Sequence, residues 1–204
     1  MRVHALILAA GESRRFGGGK VHALFRGKPL LSYVLDVVGA ARQRGLIGAG
    51  HVVIGVGDDR AVDLADAAGL ERIINDAPEL GLSHSLRLGL AAVQASSADP
   101  GAALIFLADQ PLVRIEVVEA LITRWREGGR DIIRPCYAAR AEAPGHPALL
   151  TRAVWQAARR LEGDKGFASL LGSSSFQTVT IDVPGDNPDI DTKADLLGLE
   201  ESSR

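Results

Sequence analysis

The sequence has only one cysteine and no long apolar run, and these two features limit the cellular compartment in which we expect the protein. Cys136 is the only cysteine among the 204 residues, so the chain can form no internal disulfide, and a reducing compartment is expected. No stretch has the length of a transmembrane helix. The N-terminal residues lead directly into a strand pattern, without the features of a signal peptide. We therefore expect a cytoplasmic protein that does not enter the membrane.

The chain also lacks an excess of either charge. Its formal net charge is -2, so it has no general basic surface and nucleic acid is not an expected partner. Any binding of anions must therefore be local. Hydrophobic residues make up 47% of the sequence, which is enough for a substantial core. The length suits one domain, and we expect a single domain over residues 1–204.

Several common catalytic motifs are missing. A P-loop is excluded because Lys20 is followed by Val21, where the motif requires serine or threonine. A dinucleotide fingerprint is excluded because His22 stands where the third glycine would be. Ser13 lies in G-E-S-R-R, which is not the nucleophile elbow of a serine hydrolase. With one cysteine and no H-x-x-x-H pair, a zinc site is not expected either.

The most informative stretch is residues 6–20, LILAAGESRRFGGGK. Residues 6–10 form a short continuous apolar run, which is typical of a strand buried on both faces. The loop that follows contains four glycines and the cations Arg14, Arg15 and Lys20. Backbone N–H groups and cations arranged in this way bind phosphate chains. The alternative is a flexible surface loop with solvated cations.

Further strands and helices alternate along the chain. Strands are predicted at residues 51–56, 71–75, 103–108 and 131–134, with helices at 31–41, 59–68, after Ser83 or Ser85 as N-cap, and from Ile115. Later elements are a short strand at 148–150, a helix at 152–161, a short helix ending at 171, a strand at 178–181 and a helix at 193–199, capped by Asp191 or Thr192. This pattern predicts an α/β fold: a three-layer, Rossmann-like, open and mostly parallel sheet with helices on both faces.

Carboxylates and one histidine occupy positions suited to chemistry. Ligands of open α/β sheets bind beyond the carboxyl ends of the strands, where Asp109 follows a buried strand. Either Asp189 or Asp191 could join it to hold Mg²⁺ against phosphates, although Asp191 is also consistent with a helix cap. His146 lies in a G-H-P loop as a possible ligand or acid–base group. The other four histidines have no comparable setting.

Taken together, these segments resemble a known family of enzymes. Residues 8–20 resemble the L-A-A-G-x-S-x-R-[MF]-G-x-x-K signature of nucleotidyltransferases, and in particular the molybdenum cofactor branch of MocA-like cytidylyltransferases and MobA-like guanylyltransferases. Four further segments match that branch in order: L-A-D-Q-P at 107–111, G-H-P at 145–147, G-D-K-G at 163–166 and D-I-D-T at 189–192. One departure is Lys193, where proline is usual. The resemblance covers nearly the whole chain.

The resemblance implies a fold of the nucleotide-diphospho-sugar transferase type and a role for each motif. Residues 1–112 would be the nucleotide-binding half and residues 113–199 the acceptor-binding half. Arg15, Lys20 and Asp109 would be catalytic, with Lys20 in a solvated loop. Asp109 and, in preference to Asp189, Asp191 would bind Mg²⁺. The nucleotide would contact Leu8, Ala9, Ala10, Gly11, Glu12, Ser13, Arg15, Lys20, Asn75, Gly81, Ser83 and Ser85, and the acceptor Gly145, His146, Pro147, Gly163 and Asp164.

The implied substrates are an NTP and a phosphorylated pterin cofactor, with a molybdenum hydroxylase or its assembly factor as a further partner. The segment G-L-S-H-S at 81–85 is closer to the cytidylyl branch, which favours CTP over GTP. Three alternatives stay open: a GTP-dependent guanylyltransferase, a nucleotidyltransferase acting on a sugar phosphate or isoprenoid phosphate, and a non-catalytic cofactor-assembly factor. Metal ligands argue against the last, because a carrier does not need them.

Overall fold

The fold is known from a computed structural model, which describes residues 2–96, 100–140, 144–158, 160–161 and 165–202. The strands are β1 (Arg2–Leu8), β2 (Leu24–Phe25), β3 (Lys28–Pro29), β4 (Ala49–Gly55), β5 (Glu71–Asn75), β6 (Pro100–Leu107), β7 (Ile132–Tyr137), β8 (Ala148–Thr151) and β9 (Thr178–Val183). The helices are α1 (Leu30–Gln43), α2 (Asp59–Ala67), α3 (Leu82–Ala95), α4 (Ile115–Arg126), α5 (Arg152–Ala158), α6 (Lys165–Leu171) and α7 (Lys193–Glu201).

Seven strands form one sheet in the order β5-β4-β1-β6-β8-β7-β9, and β2 and β3 form a separate hairpin. Within the large sheet, β8 runs antiparallel to both of its neighbours, and the other pairings are parallel. The predicted α/β fold with an open, mostly parallel sheet is therefore confirmed. In the register of β1 with β6, Leu8 lies opposite Leu107, so the loops that follow these two strands leave the sheet side by side.

Strand β1 contributes to two hydrophobic cores, one on each face of the sheet. Ala5 and Ile7 belong to the core that α1, α2 and α4 cover, whereas Leu6 and Leu8 belong to the core that α3, α5 and α6 cover. Because successive side chains of a strand point to opposite faces, both sets must be apolar. This is why the segment is a continuous apolar run in the sequence and why it predicted a central strand.

A third, smaller hydrophobic cluster lies away from the sheet. It consists of Phe16, Phe25, Leu30 and Ile190, which come from the glycine-rich loop, the β2–β3 hairpin, the start of α1 and the segment before α7. The cluster therefore joins the N-terminal loop to a segment more than 170 residues further along the chain, as the contact of Lys20 with Asp191 also does.

Some predicted boundaries differ from the structure. The first strand ends at Leu8 rather than at Ala10, and α5 ends at Ala158. The prediction that Ser83 or Ser85 caps α3 is wrong, because both lie inside the helix and Gly81 is the N-cap, without a side-chain hydrogen bond. Gly81 has φ 85°, a conformation that favours glycine. The cap of α7 is confirmed as Thr192, whose side chain accepts from Asp195 N. Across the described ranges, no helix combines the length and apolarity needed to cross a membrane.

Two buried histidines stack between β1 and β4. The ring centroids of His4 and His51 are 5.6 Å apart, and Glu71 Oε2 lies 3.2 Å from His51 Nδ1. Burial lowers the pKa of both imidazoles below the ordinary value. The nearby charges of His51 and Arg2 add to this effect at His4, and Glu71 opposes it at both rings. Nothing in the sequence pattern distinguished this pair, because its burial depends on the pairing of the two strands.

We expect the protein to lose stability in mild acid because of this pair. A histidine whose pKa is lowered in the folded state stabilises the fold above its unfolded pKa of about 6.5. Below that pH the unfolded chain binds the extra proton, and the free energy of unfolding falls by up to about 1.4 kcal/mol per pH unit for each proton. Urea unfolding at pH 7.5 and pH 5.5 measures the loss. In His51→Leu the loss should be smaller, and an unchanged loss would contradict the assignment.

Candidate active site

The loop after β1 is a tight turn built on one carbonyl group. The N–H groups of Phe16, Gly17 and Gly18 all donate to the Ser13 carbonyl oxygen, at 3.0, 3.1 and 3.0 Å. Gly17, Gly18 and Gly19 have φ values of 91°, 93° and 60°, a region that L side chains rarely adopt. Within the described part of the chain, the N–H groups of residues 11–15 donate no hydrogen bond. This segment therefore presents unused backbone donors, as an anion-binding loop requires.

This loop forms one wall of a cavity of about 530 Å³ at the carboxyl ends of β1 and β6. Ten of the twelve predicted nucleotide-binding residues line it: Leu8, Ala9, Ala10, Gly11, Glu12, Ser13, Arg15, Lys20, Gly81 and Ser85. The lining also includes the loop cation Arg14, the predicted metal ligands Asp109 and Asp191, and residues to which the sequence assigned no contact with the nucleotide: Val21, Pro78, Glu79, Leu82, Leu107 and Ala108. The position of the cavity follows from the sheet, because β1 and β6 are neighbours and both loops open at the same edge.

The two other predicted nucleotide-binding residues, Asn75 and Ser83, do not line the cavity and are fully buried. The Asn75 amide donates to Ser85 Oγ at 2.9 Å and accepts from Ala77 N at 2.9 Å. Asn75 therefore fixes the wall that Ser85 presents. Its contact with a nucleotide stays a prediction, and the geometry gives it a positioning role.

Lys20 is not in a solvated position, contrary to the expectation from the sequence. Its side chain is only 12% exposed, and Nζ lies 2.6 Å from Asp109 Oδ2 and 3.1 Å from Asp191 Oδ1. Burial alone would lower the pKa of Lys20, but the charges and hydrogen bonds of the two carboxylates outweigh it and raise the pKa above its ordinary value. The lysine is therefore a protonated bridge between both predicted metal ligands.

Further contacts hold Asp191 and the backbone of Lys20 in place. Arg15 Nη2 lies 2.9 Å from Asp191 Oδ2. On the opposite side of Lys20, the short 3₁₀ helix Lys20–His22 is tied to α2, because His22 Nε2 lies 2.7 Å from Asp58 Oδ1. Asp58 is also the N-cap of α2 and accepts from Ala61 N. The backbone that carries Lys20 is therefore anchored independently of the carboxylates.

The two carboxylates fit a divalent cation that also binds phosphates. Asp109 Oδ1 is buried and has no hydrogen-bond partner among the described residues, and Ile190 N donates to the Asp109 carbonyl oxygen at 3.1 Å. That backbone bond places Asp191 beside Asp109. No group of three or more His, Cys, Asp or Glu residues suited to a metal occurs in the described ranges. Two carboxylates match Mg²⁺, which takes its other ligands from water and substrate phosphates.

Asp189 is held differently from Asp191. Gln110 Nε2 donates to Asp189 Oδ1 at 2.8 Å, and Asp189 has no contact with Lys20 of the kind that Asp191 makes. Partial desolvation, followed by the charge of Asp109, raises the pKa of Asp189 above its ordinary value. The geometry therefore favours Asp191 as the second metal ligand and leaves Asp189 as a neighbour of the pair.

The G-H-P loop does not line the cavity. Tyr137 Oη donates to the His146 carbonyl oxygen at 2.8 Å, and Asn187 Nδ2 lies 3.3 Å from the same oxygen and 3.3 Å from Gln110 Oε1. Burial, followed by the charge of Arg134, lowers the pKa of the His146 imidazole to about 3. An imidazole with so low a pKa is a weak proton acceptor and carries no extra proton to donate at pH 7, which argues against an acid–base role.

The contacts of Asn187 and Gln110 connect the G-H-P loop to Asp189 and so to the edge of the candidate metal site. The acceptor-binding roles of Gly145, His146 and Pro147 stay predictions. Gly163 and Asp164, the other predicted acceptor residues, lie outside the described residues.

Comparison with known proteins gives a consistent set of relatives. The model of the MobA-like NTP transferase domain matches residues 5–179. The bifunctional protein GlmU of Chromohalobacter salexigens is 35% identical over 128 residues, which is 60% of this chain and 25% of that protein. The chain thus spans about a quarter of the length of this curated relative.

Solved structures match over nearly the full length. Rv0371c from Mycobacterium tuberculosis has a TM-score of 0.81 and 29% identity, covering 98% of both chains. The structure of Rv0371c in complex with manganese has a TM-score of 0.80 and 26% identity, covering 99% of this chain and 100% of that one. Molybdopterin-guanine dinucleotide biosynthesis protein A from Archaeoglobus fulgidus has a TM-score of 0.70 and 20% identity, covering 98% of both chains, which shows a common fold.

Ile190 offers a test of how the site is held together. Its side chain is buried in the third cluster, so Ile190→Ala should lower the free energy of unfolding by about 2–5 kcal/mol. Urea unfolding measures the change. Leu197→Ala, on the exposed face of α7, is the control and should stay within about 0.5 kcal/mol of the wild type. Equal stability of both variants would mean that the cluster does not anchor the Asp191 segment.

Proposed function

Because the chain belongs to the family of MobA-like NTP transferase domains, we propose that it transfers a nucleoside monophosphate from an NTP to a phosphorylated pterin cofactor. The NTP is CTP and the acceptor is the terminal phosphate of molybdopterin, with pyrophosphate as the second product. The observation that carries the proposal is the convergence of Lys20 and Arg15 on Asp109 and Asp191 in a cavity lined by unused backbone donors.

The N-terminal half, residues 1–112, would hold the nucleotide. The N–H groups of residues 11–15 would donate to the phosphate chain, and Arg15 and Lys20 would neutralise its charge. Ser85 and Gly81 also line the cavity and would contact the base or ribose. Support for CTP comes from the G-L-S-H-S segment, which is similar to that of the cytidylyl branch.

Asp109 and Asp191 would hold Mg²⁺. The unpaired buried oxygen of Asp109 supports this role, as does the manganese complex of the similar protein Rv0371c. A divalent cation bound there would neutralise charge on the triphosphate during transfer. Asp191 belongs to the second half of the chain, so both halves would be needed for the metal site.

The acceptor would bind beside the nucleotide through residues 113–199, including Gly145, His146, Pro147, Gly163 and Asp164. Its terminal phosphate would attack the α-phosphorus of the NTP in line, forming a new P–O bond as the bond to pyrophosphate breaks. The attacking oxygen is already an anion, so no side chain needs to remove a proton. This agrees with a neutral, enclosed His146. Catalysis would then rest on positioning and on charge stabilisation by Lys20 and Arg15.

Two alternative reactions would use the same cavity. In one, GTP replaces CTP as the nucleotide; in the other, a sugar phosphate or isoprenoid phosphate replaces the pterin as the acceptor. A non-catalytic assembly factor is disfavoured, because it would have no use for a lysine bridging two carboxylates beside unused phosphate donors. Release of pyrophosphate from CTP in the presence of Mg²⁺ and the cofactor separates the enzyme from such a factor.

Lys20→Ala should lower nucleotidyl transfer by at least about a hundredfold, because Lys20 would stabilise the charge that develops in the transition state. Pyrophosphate release measures the rate. Lys28→Ala, which breaks the exposed pair of Lys28 with Asp36, is the matched control and should keep the wild-type rate. Circular dichroism checks that both variants are folded, and near-normal turnover of Lys20→Ala would contradict the assignment of the loop.

A thermal-shift panel of CTP, GTP, ATP and UTP with Mg²⁺ tests the choice of base. A ligand at about one hundred times its dissociation constant adds roughly 2.7 kcal/mol to the stability, so the cognate nucleotide should raise Tm clearly above the others. We expect CTP to give the largest shift. A shift with GTP alone would indicate a guanylyltransferase instead of a cytidylyltransferase. No shift with any NTP would contradict the proposed function.

A further inference from the structure

We propose that Lys20 and Arg15 serve as internal counter-ions of the metal site, so that a divalent cation binds tightly only together with a triphosphate that takes these two side chains away. The inference rests on the proposed function, because it assumes that Asp109 and Asp191 are the metal ligands. It adds a coupling between the two ligands and assigns to Lys20 a second role, that of weakening metal binding to the free protein.

The contacts of the four carboxylate oxygens carry this inference. Asp109 Oδ2 and Asp191 Oδ1 are both taken by Lys20 Nζ, at 2.6 and 3.1 Å, and Asp191 Oδ2 is taken by Arg15 at 2.9 Å. Asp109 Oδ1 alone has no partner in the described part of the chain. A cation that bridges the two carboxylates must therefore take the place of the ammonium group that now bridges them.

Charge couples the binding of the metal to the binding of the triphosphate. In the free protein, two cations balance two carboxylates at close range. A divalent cation placed beside an unmoved Lys20 would be repelled at short distance in a partly buried site, where such repulsion is strong. A triphosphate placed beside Asp109 and Asp191 without a metal would be repelled for the same reason. Each ligand alone therefore meets an unfavourable charge, and the two together do not.

The displaced side chains of Lys20 and Arg15 would find new partners in the same cavity. Lys20 and Arg15 both line the cavity that contains the unused N–H groups of residues 11–15. Phosphates bound there would offer new partners to both cations within the same cavity. Arg15 is 74% exposed and can leave Asp191 readily, whereas Lys20 is 12% exposed and is held by both carboxylates. Lys20 should therefore be the stronger barrier to metal binding.

The direct test is a titration of Mn²⁺ without nucleotide, in which electron paramagnetic resonance measures free Mn²⁺. Lys20→Gln should bind Mn²⁺ roughly tenfold more tightly than the wild type, within the usual range of coupling between sites. Arg15→Gln should show a smaller gain. Lys28→Gln is the matched control, because it removes the same charge from a pair with Asp36, and its affinity should equal that of the wild type. Adding Asp191→Asn to Lys20→Gln should abolish the gain.

The inference is overturned if Lys20→Gln and Arg15→Gln bind Mn²⁺ no more tightly than the wild type, or if Lys28→Gln gains as much as Lys20→Gln. If Lys20→Gln does not fold, Arg15→Gln decides the question, because its side chain is exposed and its removal leaves the Lys20 bridge in place. The titration contains neither nucleotide nor acceptor. Its failure therefore leaves the proposed transfer untouched, whereas a wild-type protein that transfers no nucleotide contradicts the proposed function whatever the Mn²⁺ result.

Discussion

The ammonium group of Lys20 between Asp109 and Asp191 is the interaction on which the candidate site depends. It connects Lys20 to two carboxylates that lie 89 and 171 positions further along the chain, and so links three segments of the site by charge. Both carboxylates lie within hydrogen-bond distance of the same ammonium nitrogen. Carboxylates so close together repel one another unless a cation lies between them. The site therefore needs a positive charge in every state, and the identity of that charge is what distinguishes the free protein from the loaded one.

Apolar contacts and backbone bonds support this charged centre. Phe16 and Ile190 pack in the same small cluster, one just before the glycine turn that leads to Lys20 and the other next to Asp191. The N–H of Ile190 is bound to the Asp109 carbonyl oxygen. The His22 contact with Asp58 fixes the far side of the loop. The polar centre is thus held by packing that does not depend on which ligand is present.

The sequence was sufficient for the fold because its strongest signals are local. A strand segment buried on both faces is mostly apolar, so residues 5–8 of β1 were visible as a run. Asp109 was visible because it follows another such strand. The resemblance to the nucleotidyltransferase family is confirmed by the matching domain model, and related solved structures share the Rossmann-like fold of the nucleotide-diphospho-sugar transferase type. Most residues expected to bind the nucleotide line a single cavity.

The features that the sequence did not reveal depend on contacts between distant segments. Lys20 was expected in solvent because no local pattern shows that Asp191 will reach it. Asn75 is still expected to contact the nucleotide, but the sequence did not show that its amide is buried and donates to Ser85 Oγ. The imidazole of His146 was a candidate acid–base group, and the burial that lowers its pKa cannot be read from the local G-H-P pattern. The stacking of His4 on His51 likewise depends on the register of two strands, which a single sequence does not specify.

The position of Asp191 has a consequence for synthesis on the ribosome, where the N-terminal segment emerges first. The glycine loop, Lys20 and Asp109 all precede the carboxylate that completes the bridge, and Asp191 follows Lys20 by 171 positions. A nascent chain that has already formed its first strands and helices therefore still lacks a complete charge centre. The pocket therefore stays incomplete until the segment that carries Asp191 has been synthesised and has folded back onto the N-terminal loop.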